Sequence, residues 1–68
     1  MTAVLTVTDQ SYVSGARRET EAIARRIGLG ADDVGRAALI ATELATNLAK
    51  HGGGGRILVQ PLPTPTVA

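Results

Sequence analysis

Four consecutive glycines, Gly52 to Gly55, constrain this chain more than any other feature. Glycine loses the most backbone freedom on ordering and weakens the interior of a helix or strand. No regular element therefore runs across the quartet. It separates a long helical pattern from a short strand pattern, "RILVQ" at Arg56–Gln60. Phosphate-cradling glycine loops follow a strand and open a helix. The order here is the reverse, so the quartet reads as a helix cap and turn.

A second break, "GLGADD" at Gly28–Asp33, divides the chain ahead of the quartet. Before it, "AVLTVTD" at Ala3–Asp9 alternates branched and polar residues with the period of a strand. Ser11 is placed to cap a helix, with Tyr12 and Val13 in its first turn. Val13, Ala16, Thr20, Ile23 and Ile27 then recur at steps of three and four. Arg17, Arg18, Glu21, Arg25 and Arg26 lie mostly off that stripe, which predicts an amphipathic helix ending near Gly28. Beyond the break, Asp32 or Asp33 serves as N-cap or first-turn acid of a helix from about Asp33 to about His51. Val34, Ala37, Ala38, Ala41, Leu44, Ala45 and Leu48 form its apolar face. The closing "PLPTPTVA" holds three prolines, which lack the donor a sheet ladder needs, and reads as an extended tail.

The expected fold class is α+β, in the order β-α-α-β, with two helices packed on an incomplete sheet. Two strands alone are nearly all edge. The pattern looks like the first half of a larger α/β sandwich. A chain of 68 residues buries only about 60% of its unfolded surface. With Tyr12 as its one aromatic, the core is Val, Ile, Leu and Ala. The isolated chain is therefore expected to be loosely folded or to associate. Without cysteine there is no disulfide framework, and one histidine does not make a structural zinc site. A reducing cytoplasm is the default compartment. No signal peptide is expected at the N-terminus, and no apolar run reaches the roughly 18 residues of a membrane span. A net charge of +1 points to neither nucleic acid nor an anionic membrane. Glu19 and Glu21 interrupt the arginine pairs 17/18 and 25/26, and no aromatics interleave, so nucleic-acid binding is disfavoured.

The chemistry-bearing stretch is "ELATNLAKHG", Glu43 to Gly52. A step of four on a helix returns within about 40° of the same direction and climbs about 6 Å. Glu43, Asn47 and His51 thus form one polar line, flanked by Lys50. Leu44, Ala45 and Leu48 beside it would hold the helix against a sheet. A magnesium ion takes hard oxygen ligands and keeps waters, so one amide oxygen suffices when phosphates supply the rest. A carboxylate one turn away can take a proton from an attacking hydroxyl. Lys50 or His51 can pair with phosphate charge. The competing reading is a solvated helix face whose terminal cations suit the helix dipole.

"ALIATELATNLAKHGGGGRILV" resembles the N box of the GHKL ATPases, the superfamily of gyrase, histidine kinases and MutL. It is most similar to the anti-sigma-factor serine/threonine kinase branch. Thr42, Glu43, Leu44, Ala45, Asn47 and His51 match that helix motif, and Gly52–Gly55 with "RILV" match the turn and strand after it. Upstream, "ARRETEAIARRIGLGADDVGRAALIATE" follows the same branch. The resemblance implies a Bergerat-type α/β sandwich of which residues 1–62 form the N-terminal part, with 63–68 as a tail. It implies ATP and Mg²⁺ as cofactors, Asn47 as the metal ligand, and Glu43 as general base toward a serine or threonine hydroxyl. Lys50 and His51 would lie near the nucleotide phosphates, and Arg36 is unassigned. An anti-anti-sigma-type protein or a sigma factor is the implied partner, and a homodimer is a further one. The superfamily's Asp-x-Gly-x-Gly segment has no counterpart, since Asp9, Asp32 and Asp33 all precede the N box. A second glycine-rich lid is missing too. The chain is thus expected to be a truncated kinase domain that binds Mg-ATP weakly or not at all in isolation. The alternative is a non-catalytic interaction module that docks partners through its helix pair and exposed sheet edge.

Overall fold

The computed structural model describes residues 2–60. Strand β1 spans Ala3–Val7, a single 3-10 turn Gln10–Tyr12, helix α1 Val13–Arg26, helix α2 Ala31–His51 and strand β2 Gly55–Val59. The expected order β-α-α-β holds. The expected tail at 63–68 and the domain limit at 62 lie outside the described residues.

β1 stops at Val7, two residues short of the expected end, because Asp9 caps the 3-10 turn. Its Oδ1 accepts from the Ser11 backbone N–H at 2.8 Å and from the Ser11 hydroxyl. Those two bonds favour the ionised form and hold the Asp9 carboxyl below its ordinary value. Asp9, not Ser11, is therefore the capping side chain, and Ser11 sits inside the 3-10 turn. α1 ends in a Schellman motif. The Leu29 N–H donates to the Ala24 carbonyl at 3.0 Å and the Gly28 N–H to that of Arg25 at 3.1 Å. Gly28 sits at φ +90°, a conformation in which a side chain would be strained.

α2 starts two residues before the expected Asp33. Gly30 is its N-cap without a side-chain bond, and Asp32 and Asp33 are first-turn acids that favour the helix dipole. The buried positions are Ala16, Thr20, Ile23 and Ala24 on α1, and Val34, Ala38, Ala41 and Ala45 on α2. The helices contact one another more extensively than either contacts the sheet. Two residues expected on the buried stripes are exposed: Ile27 at 40% and Leu44 at 47%. Ile27 lies past the last turn of α1, and Leu44 borders an open cleft beside β2.

The sheet is antiparallel, pairing Ala3 with Val59, Leu5 with Ile57 and Val7 with Gly55. Leu5, Val7 and Ile57 are buried with Ala16 and Ala45, and Val13, Leu48, Ala49 and Val59 pack against that cluster. Val4, Thr6, Arg56 and Leu58 are exposed. One face of the sheet thus meets the helices and the other meets water. β2 leads out of the glycine turn. The N–H groups of Gly52 and Gly54 both donate to the Leu48 carbonyl, at 3.2 and 2.8 Å. Gly54 has φ +97°, and a Cβ there would lie 2.8 Å from the Val7 carbonyl oxygen. The turn therefore lies against the end of β1, fixing the last turn of α2 beside the sheet. Among the described residues, no helix is long and apolar enough to cross a membrane.

Candidate functional site

The candidate residues all stand on α2, a continuous helix of 21 residues. Its orientation follows from the buried stripe, which centres on Ala38, Ala41 and fully buried Ala45. At about 100° per residue, Glu43 and Asn47 point about 160° from Ala45, one on either side. They occupy the solvent side of α2, farther from the sheet than the margin expected from sequence. Lys50 and His51 are exposed as well. Thr42 and Thr46 are half-buried, and their hydroxyls donate back to the Ala38 and Thr42 carbonyls at 2.8 and 2.7 Å. The motif's threonine is thereby bound to its own helix. Glu43, Asn47, Lys50 and His51 form no side-chain hydrogen bond or ion pair among the described residues.

The structure thus brings Glu43, Asn47 and His51 onto one exposed line. Successive members are about 6 Å apart along the axis, and the line is about 12 Å long. Lys50 and His51 fall in the last turn, where a cation suits the dipole. Arg36 lies 3.7 Å from Asp33 in the first turn, with both side chains exposed, so it belongs to the helix start.

The donor set bears on the metal. No group of three or more His, Cys, Asp or Glu side chains gathers among the described residues, so there is no all-protein cage. Asn47 offers one uncommitted hard oxygen. That fits magnesium, which is commonly held by one or two protein oxygens with water and phosphate completing the octahedron. The clefts of about 350, 220 and 470 Å³ are lined by other residues. Sequence reasoning missed two features of these surroundings. Ile40, outside the expected apolar set, is 54% exposed and lines the 220 Å³ cleft together with Leu44. Thr20, read as a stripe member, buries a hydroxyl oxygen that has no hydrogen-bond partner among the described residues.

No curated protein and no solved structure matches the chain. A family model, that of the histidine kinase-like ATPase domain, matches residues 6–64. The matched stretch contains both helices, the polar line of α2, the glycine turn and β2. Covering most of the sequence, the match agrees with the motif on α2, and the chain belongs to the histidine kinase-like ATPase domain family of the GHKL superfamily.

Proposed function

We propose that α2 presents the phosphate-facing side of an ATP-dependent phosphotransfer site of the anti-sigma-factor serine/threonine kinase type. The observation that carries this reading is the exposed, uncommitted line Glu43–Asn47–His51 on one unbroken helix, inside the family match. Asn47, through Oδ1, would hold the metal. Bound magnesium would neutralise phosphate charge. Glu43, one turn earlier, accepts the proton of the serine or threonine hydroxyl as its oxygen bonds to the γ-phosphorus, the bond to the β–γ bridging oxygen breaks and ADP leaves. Lys50 and His51 donate to phosphate oxygens at the helix end. The partner receiving the phosphate is an anti-anti-sigma-type protein, and the setting is cytoplasmic.

The test is an amide NMR titration of the chain with ATP and Mn²⁺ standing in for Mg²⁺. Line broadening should centre on Glu43–His51. Asn47→Ala should abolish the metal-dependent part, while Glu43→Ala leaves it in place. In a chimera carrying the C-terminal segment of a related domain after Leu62, Glu43→Ala should lower phosphotransfer about 10²–10⁴-fold, the range for a positioned general base. Broadening spread evenly over all acidic residues would return the line to a solvated face. So would identical effects of the two substitutions.

A further inference from the structure

The phosphotransfer reading gives the polar line of α2 a direction. Lys50 and His51 stand at its C-terminal end, and Asn47 and then Glu43 follow toward the N-terminus. The phosphates therefore run from Asn47 toward the C-terminal end of the helix. Attacking and leaving oxygens lie on opposite sides of the phosphorus. As the acceptor oxygen bonds to the γ-phosphorus, its proton passes to Glu43, the bond to the β–γ bridging oxygen breaks and ADP leaves. The acceptor then arrives from the N-terminal side of Glu43, over the turn of α2 that carries Leu39.

Leu39 differs from its neighbours on that side. At about 100° per residue, Asp32, Arg36, Leu39, Asn47 and Lys50 all point within about 40° of Glu43. Leu39 is the one apolar side chain among them. It is 58% exposed, lines none of the three clefts and takes no part in the buried stripe of α2. A single exposed leucine is ordinary on a protein surface. Its place one turn before the base, on the acceptor's route, gives this one a role.

We infer that Leu39 is a specificity-determining residue, and that the acceptor is an extended segment with an apolar side chain two residues from its serine or threonine. The inference rests on the phosphotransfer reading and names the acceptor class that this reading leaves open. Leu39 lies about 6 Å along the helix axis from Glu43. Residues two apart in an extended segment are about 6.5–7 Å apart and point the same way. One such segment lays its hydroxyl on Glu43 and its apolar side chain on Leu39 together. Adjacent residues point to opposite faces and do not reach both. The next turn toward the N-terminus carries Asp32, Asp33 and Arg36, so both signs of charge are present there and neither is selected.

Amide NMR titration of the full chain with three uncharged, terminally blocked peptides tests the inference. Their sequences are Gly-Leu-Gly-Ser-Gly-Leu-Gly, Gly-Asn-Gly-Ser-Gly-Asn-Gly and Gly-Gly-Leu-Ser-Leu-Gly-Gly, symmetric so that either chain direction is served. The first should bind about five- to tenfold more tightly than the other two, the gain from half-burying one leucine side chain. Its shifts should centre on Leu39 and Glu43. Leu39→Gln and Leu39→Ser should each erase the preference and leave the broadening of Glu43–His51 by ATP and Mn²⁺ unchanged. Should one of them fail to fold, the other decides. Leu58→Ser, at a comparably exposed leucine on the sheet, should keep the preference. Equal affinity for the three peptides, beside intact ATP–Mn²⁺ broadening, overturns the inference alone. So does a preference that survives both Leu39 substitutions. Absence of the broadening overturns the phosphotransfer reading and the inference with it.

Discussion

The glycine turn between α2 and β2 offers a graded test of how this chain closes. Gly52, Gly53 and Gly54 are consecutive, yet the structure asks different things of them. Gly52 has φ −97°, and a Cβ there would meet the Leu48 carbonyl oxygen at 3.4 Å, an ordinary contact. Gly52→Ala should be neutral or stabilise by up to about 1 kcal/mol, because alanine restricts the unfolded chain. Gly53 has φ +68° with open space around it, so Gly53→Ala carries only the left-handed strain of about 1–2 kcal/mol. Gly54 has φ +97°, and its Cβ would sit 2.8 Å from the Val7 carbonyl oxygen and 3.2 Å from Thr8 Cα. Both obstacles are backbone, so relief requires moving the turn off β1. Gly54→Ala should therefore cost about 3 kcal/mol, at the upper end for strained positions. That is roughly a hundredfold fall in the folded-to-unfolded ratio. Urea unfolding followed by far-ultraviolet circular dichroism checks the series. A fixed chain concentration and a fixed level of trimethylamine oxide keep the baseline folded. The order Gly52→Ala, Gly53→Ala, Gly54→Ala should appear as falling midpoints at constant slope. Equal losses at Gly53 and Gly54 would show that the turn does not touch the end of β1.

Thr20→Val should stabilise the fold by about 1–3 kcal/mol, because it replaces a buried unpartnered hydroxyl with a methyl of the same shape; thermal unfolding reads this directly, and a loss would show that the hydroxyl has a partner in solution. Asp9→Ala should destabilise the entry to α1 at neutral pH and leave stability unchanged in acid. The folded carboxyl lies below its ordinary value of 3.8, so its contribution is present above that pH and disappears as pH falls through the folded value. A wild-type-minus-Asp9→Ala difference that persists undiminished well below pH 3.8 would refute the cap. On the exposed line of α2, Asn47→Ala and Glu43→Ala should leave the unfolding midpoint unchanged within about 0.5 kcal/mol, as befits surface positions without partners; a larger loss would show that these residues serve the fold instead.

The element order was legible because its signals are local. Two glycine breaks and two helical periodicities specify where the chain turns, and the α2 motif specifies which residues carry polar atoms. Details that depend on competition or on neighbours were not legible. Asp9 and Ser11 are both good caps two residues apart, and the inserted 3-10 turn gives the role to Asp9. The apolar set of α2 covers a broad arc that includes Ala37, Leu44 and Leu48. Sequence does not say which part of that arc faces α1. The small residues Ala38, Ala41 and Ala45 occupy its centre and permit close helix approach. That choice rotates Leu44 toward the open cleft and Glu43 and Asn47 to the far side. The exposure of Ile40 has the same origin, since that rotation turns it to the open cleft with Leu44.

The alanine-rich seam between α1 and α2 makes the protein's tolerance to change asymmetric. Ala16, Ala24, Ala38, Ala41 and Ala45 are all buried, and alanine loses no rotamer freedom on burial. Only one methyl can be deleted at each, so truncation leaves a small void. Each added methylene, in contrast, must push packed backbones apart, helix from helix or, at Ala16 and Ala45, helix from sheet. In a saturation mutagenesis map these five positions would accept glycine or serine far more readily than leucine or phenylalanine. Most cores show the opposite bias, with large residues sensitive to loss. Drift along this seam is thus confined to small side chains, and new bulk has to enter at the open cleft lined by Ile40 and Leu44.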